Sequence, residues 1–183
     1  MQSQNAISML SSPGVKYGLL GGAVVVFYFL ILYFIKADLF LSPLLQWGSM
    51  GFYLLFMWQA AKVDGSLHEA PRDFRTILRT PFITFLIINL CYWLFYYALH
   101  LYDPALLQTE MAMELKGLKT QIEAGIGDPQ QGNILRERML ELEKSMQSTA
   151  KQPLGPIINR MFIGAIGGFG LSAGLAAIFR SKA

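Results

Sequence analysis

Few residues in this chain have both the type and the setting to do chemistry. Set in or beside long apolar stretches are Gln46, Gln59, Asn89, His100 and Arg160, and none is a carboxylate placed to move protons in a nonpolar medium. The two histidines, His68 and His100, flank opposite ends of an apolar run. They cannot share a metal, and no Ser/His/Asp or Cys/His set has the common depth that nucleophilic catalysis requires. The single cysteine, Cys91, lies inside the same run; it can close no internal disulfide and reads as a small buried side chain. The expectation is a chain that is not an enzyme, with no catalytic residue, no metal and no cofactor. Asn89, His100, Asp103 and Arg160 form the candidate polar membrane site. Asn89 is set for an interhelical hydrogen bond, with ligand contact as the alternative. The other three belong at one membrane boundary, level with Lys36 and Asp38, as an ion-pair cluster or a headgroup site.

The elements that must position these residues are four uncharged apolar runs, read as transmembrane helices over 17–35, 39–61, 82–102 and 157–179. About 20 apolar residues match the ~30 Å hydrocarbon core, and within it only helices and closed barrels satisfy their own backbone. Hydrophobic residues make up 54% of the chain and charged residues 15%, and the mean hydropathy is +0.40. These values exclude an ordinary soluble domain. The net charge of +3 comes from residues beside membrane segments, where lipid contact and orientation explain it, so no nucleic-acid partner is expected. The fold class is therefore all-α: a single membrane domain, 1–183, of four transmembrane helices with an extramembrane αα-hairpin, 103–152, between the third and fourth.

The first run is a retained helix and not a secretory signal, because bulky residues, Tyr33-Phe34-Ile35, stand where cleavage needs small ones. The first two helices are joined only by Lys36-Ala37-Asp38, which demands a tight antiparallel pair. The next connection carries Lys62, Arg72, Arg75 and Arg79. Phe74, Ile77 and Leu78 share one helical face there, predicting a short helix in the headgroup layer. Thr80-Pro81 reads as the cap and first residue of the third helix. Basic residues crowd the membrane ends at Lys16, in this connection, and at Arg180 and Lys182, which places both termini in the cytoplasm.

Between the third and fourth runs, Leu107, Met111, Leu115, Leu118 and Ile122 make one apolar stripe, and Leu135, Met139, Leu142 and Met146 make another. Two amphipathic helices follow, each started by Asp-Pro, at Asp103-Pro104 and Asp128-Pro129, and separated by Gly125 and Gly127, with Gly132 as a further candidate break. Pro153-Leu154-Gly155-Pro156 ends the unit. The first stripe packs on its neighbour or serves as a partner stripe. In the last run, Gly164/Gly168 and Gly170/Gly174 have small-xxx-small spacing, repeated by Gly18 and Gly22 in the first. These are helix-packing positions, within the chain or at a homodimer seam. No Gly-Lys-Ser/Thr follows them, so they are not a phosphate loop.

Lys16-Tyr17-Gly18-Leu19-Leu20, Asp73-Phe74-Arg75, Tyr102-Asp103-Pro104, the Met-, Glu- and Leu-rich hairpin and the glycine-rich last helix together resemble the bacterial membrane family catalogued as domain of unknown function 4199, across essentially the whole chain. The resemblance implies a small four-helix protein of the bacterial inner membrane with no assigned catalytic residues. It also implies an accessory or assembly subunit, since family members are encoded near a membrane glycosyltransferase. The expected partners are thus membrane lipids and a membrane protein or a second copy. The alternative is a small transporter or lipid-handling protein built on Trp47, Tyr53, Trp58, Tyr92, Trp93 and Tyr96.

Overall fold

The structure, a computed structural model, describes residues 12–67, 73–124, 129–147 and 154–180. Among them are helices α1 (Pro13–Ile35), α2 (Ala37–Phe40), α3 (Pro43–Ser66), α4 (Phe74–Tyr102), α5 (Pro104–Glu123), α6 (Pro129–Gln147) and α7 (Leu154–Arg180). No strand occurs among the described residues. His68, Arg72, Gly125, Gly127, Asp128, Pro153 and Lys182 lie outside the described residues. The chain divides into two compact units, one of α1 to α3, most of α4, and α7, the other of residues Tyr97–Leu154.

In the first unit α1 begins where Ser12 caps it, its hydroxyl accepting from the Val15 N–H at 3.4 Å, with Pro13 at the first helical position. The helix is apolar all round, which in a small protein means lipid on the uncovered side. Phe27 and Phe34 are accordingly exposed, while Val25 and Phe29 are buried. Its contact with α4 is a ladder of glycines: Gly14, Gly18 and Gly22 oppose Ile83, Ile87 and Cys91. A Cβ built on Gly18 would stand 2.8 Å from the Ile87 Cβ, and one on Gly22 2.8 Å from the Cys91 sulfur. Only glycine lets the two backbones approach this closely. Thr84, fully buried, shares its hydroxyl proton between the carbonyls of Gly14 (3.2 Å) and Thr80 (3.0 Å).

Among the described residues three helices, α1, α4 and α7, are long and apolar enough to cross a membrane, and this corrects the expectation of four. Two features of the second run explain the difference. Pro43, which cannot continue a helix from the preceding turn, starts α3 after a break at Leu41 and Ser42, leaving 37–40 as the separate α2. Within α3, Gln46, Gly48, Ser49, Gly51 and Gln59 dilute the leucines and phenylalanines. The chain is a multi-span helical membrane protein, with α3 packed along α1.

The boundaries at α4 also differ from expectation. The helix starts at Phe74 and runs through Pro81 to Tyr102, so the segment read as a separate interfacial helix is its first turns. Pro81 is an interior residue of α4 and not its start, and membrane helices tolerate such prolines when neighbours re-satisfy the backbone. Likewise Leu154, Gly155 and Pro156 open α7.

One end of this unit is basic. The first turn of α1, the last of α3 and the first of α4 meet around a cavity of about 250 Å³ lined by Ser12, Asp64, Thr76, Arg79 and Thr80. The C-terminal end of α7 reaches α3 there through the Trp58 and Phe179 rings, 4.8 Å apart. In the second unit Asp103 caps α5, its carboxylate accepting from the Ala105 N–H at 3.1 Å. The helices α5 and α6 pack on each other, with Glu114–Arg138 at 3.3 Å and Lys119–Glu143 at 3.7 Å between them and Leu142 buried.

Candidate functional site

Helices α1, α3, α4 and α7 enclose a cavity of about 540 Å³, inside the ~300–1,000 Å³ range of small-molecule sites. Its wall is aromatic: Phe29 from α1, Trp47 and Tyr53 from α3, and Phe85, Tyr92 and Trp93 from α4. The α7 wall is almost bare, because Gly164, Gly167 and Gly168 face the space in place of side chains. The glycines do different things. A Cβ on Gly168 would overlap the Phe85 ring, and one on Gly164 would lie 3.3 Å from the Asn89 Oδ1. A Cβ on Gly167 would meet nothing within 4 Å, so Gly167 opens the cavity while its neighbours let α7 approach α4. Trp47, Ile163 and Gly167 are all exposed, which makes the cavity a trench opening on the surface of the unit.

Asn89 sits on this wall with both ends of its amide engaged. Its Nδ2 donates to the Met161 carbonyl at 3.1 Å, tying α4 to α7, and its Oδ1 accepts from Trp93 Nε1 at 3.1 Å. On the α3 wall the Gln46 amide donates to the Phe40 carbonyl at 3.4 Å and Ser49 donates to the Gln46 carbonyl at 2.6 Å. Arg160 lines the cavity from the first turns of α7 and is exposed. Among the described residues it is the charged group on the wall. Tyr53 is buried, its ring 5.2 Å from Phe85. Its hydroxyl has no hydrogen-bond partner among the described residues. That is an exception to the rule that buried polar groups are paired.

Of the four residues expected at a polar membrane site, Asn89 and Arg160 line this one cavity. His100 and Asp103 belong to the second unit. There His100, buried, pairs with Glu110 at 3.1 Å, and Asp103 caps α5. Among the packing glycines, Gly18, Gly22, Gly164 and Gly168 lie against neighbours, whereas Gly170 and Gly174 have nothing within 4 Å. On the α5 stripe Leu107 is buried and Met111, Leu115, Leu118 and Ile122 are half-buried. Trp58 and Tyr96 stay off the cavity, against Phe179 and Phe40. Gln46, Ser49 and Gly167 were not marked in the sequence as a group. Their common signal is a polar or small residue inside an apolar run, which says nothing of a shared space. Among the described residues no group of three or more His, Cys, Asp or Glu side chains is placed to hold a metal.

Residues 16–181 match the family described as "Protein of unknown function (DUF4199)". The chain belongs to that family. No curated protein and no solved structure matches the chain. What this family member does must therefore be argued from the cavity and its lining.

Proposed function

We propose that this protein is a noncatalytic lipid-handling protein of the bacterial inner membrane, which holds an amphiphilic molecule in the trench between α3, α4 and α7. The observation that carries this reading is the cavity itself: about 540 Å³, aromatic-walled, floored by Gly164 and Gly167. A solvent-filled apolar space would be costly in a soluble protein. In a membrane the same space, open along exposed apolar residues, is one that an acyl chain fills. In this proposal the basic end faces the cytoplasm, as the excess of Lys16, Lys62, Arg75, Arg79 and Arg180 near the helix ends favours.

A role as an accessory or assembly subunit ranks second, because it needs the α5 stripe for a partner and that stripe is already partly covered within the chain. The reading is tested with a protein whose only tryptophan is Trp93, made by Trp47→Phe and Trp58→Phe. In detergent, an amphiphile with a brominated acyl chain should quench Trp93 fluorescence saturably, and Gly167→Leu, which fills open space, should abolish the effect. Linear quenching that is indifferent to Gly167→Leu would overturn it.

A further inference from the structure

We infer that the trench binds an isoprenoid quinone, its flat ring packed between the aromatic and glycine walls and one ring carbonyl hydrogen-bonded by the Tyr53 hydroxyl. The inference rests on the lipid-handling reading above and names the class of lipid. An acyl chain fills an apolar space, but it brings no acceptor to Tyr53. That residue lines the cavity, is 6% exposed, and its hydroxyl makes no hydrogen bond among the described residues. A buried donor in this state carries a desolvation cost that a bound acceptor removes. Helix α3 puts Gln46, Ser49 and Tyr53 on the wall at i, i+3 and i+7, and the first two are tied to backbone carbonyls. Tyr53 is the one left to meet an occupant.

Charge, depth and shape together say what carries the acceptor. Arg160 is the charged group on the wall among the described residues and is already engaged within the chain, so no free cation is placed there to receive a phosphate or carboxylate. An unpaired charge is the costliest group to bury; the acceptor is therefore uncharged. Tyr53 packs on Phe85 at 5.2 Å, and Phe85 stands eleven residues into α4, about 16 Å along that helix at 1.5 Å per residue. This depth is near the middle of a ~30 Å hydrocarbon core, whereas the ester carbonyls of a bilayer lipid lie at its edge. Rings of Phe29, Phe85, Tyr92 and Trp93 line one part of the space, and bare backbone at Gly164 and Gly167 lines another. A planar ring suits both, stacking offset or edge-on against the aromatics and lying flush on a helix with no side chain in the way. A quinone unites the three properties: uncharged carbonyls, a planar ring, and an apolar tail that carries the ring into the core.

The test uses the purified full chain in detergent, in its Trp93-only form, with decylubiquinone and a short-tailed menaquinone as probes, since a quinone ring itself quenches tryptophan. Quenching by at least one of them should saturate. Tyr53→Phe, which deletes only the unpaired hydroxyl, should weaken that quinone about tenfold, the equivalent of roughly 1.4 kcal/mol, and leave the brominated amphiphile bound as before. In infrared difference spectra one carbonyl stretch of the bound quinone should fall below its free value, and Tyr53→Phe should restore it. Gly167→Leu should block quinone and amphiphile alike. Quinones that bind Tyr53→Phe as tightly as the parent protein, or that fail to bind where the brominated amphiphile binds saturably, would overturn the quinone assignment and leave the trench as a lipid site. Quinone and amphiphile both failing to bind saturably would overturn both readings.

Discussion

Gly167 and Gly168 are adjacent on α7 yet face opposite conditions, and substituting each with alanine separates packing from helix propensity. Either change should gain up to about 1 kcal/mol, because alanine is the better helix former. Gly167→Ala adds nothing else, since its Cβ would meet no atom within 4 Å. Gly168→Ala drives a methyl into the Phe85 ring. Phe85 is 3% exposed and held against Tyr53, so either the ring gives up that contact and turns into the cavity it lines, or α7 moves. Overpacking of this kind costs about 1–3 kcal/mol. The two variants should thus differ by about 1–3 kcal/mol, with Gly168→Ala the less stable. Reversible unfolding in mixed micelles, followed by circular dichroism, measures the difference. Equal stabilities would show that α7 does not lie against α4 through Gly168, and the trench as described would not exist.

Asn89→Leu should cost about 0.6–1.7 kcal/mol, the scale of interhelical hydrogen bonds in membranes, because the bond to Met161 goes and Trp93 Nε1 loses its acceptor; the same unfolding assay reads it. Leu142→Ala should loosen the α5–α6 pair by about 2–5 kcal/mol, since Leu142 is buried, and limited proteolysis within 104–147 should accelerate relative to wild type. The Lys36 ammonium, 2.8 Å from the Asp38 carboxylate, has its pKa raised by that hydrogen bond and then by the carboxylate's charge. A raised cation stabilises below its unfolded value and loses that contribution as the pH climbs through the folded one. Asp38→Asn should therefore lower stability slightly at neutral pH and leave it unchanged once Lys36 has titrated in wild type. Cysteine at Ser66 should be shielded from an impermeant reagent in intact cells and cysteine at Gln131 should react; the opposite pattern would reverse the proposed orientation.

How much was legible in the sequence follows from which physical signals are local. The spans at α1, α4 and α7 are carried by continuous apolar composition, and the Asp103-Pro104 start of α5 by a cap that acts within three residues. The second run misled because its interior is uncharged: Gln46 and Gln59 are visible as polar residues, but the hydropathy of the whole run, which they lower together with Ser49, does not show in its lack of charge, and Pro43 splits the run. Pro81 misled in the opposite way, since its meaning depends on whether Phe74–Thr80 is already helical, which the neighbouring helices decide. Asn89 could be recognised as a hydrogen-bonding residue in an apolar run. That it bonds a carbonyl 72 residues away could not. The glycine spacing announced close helix approach, but spacing alone cannot separate Gly168, which touches Phe85, from Gly167, which opens a space. The cavity is a property of four helices together, and no single segment contains it.

The most direct measurement is native mass spectrometry of the protein released from the gentlest micelle that keeps it folded. Wild type should retain one lipid-mass adduct per chain. Gly170→Leu, whose side chain would enter open space away from the cavity wall, should retain it equally, and Gly167→Leu should lose it. No adduct on wild type, or the same adduct on all three proteins, would contradict the proposal that the trench between α3, α4 and α7 holds a lipid.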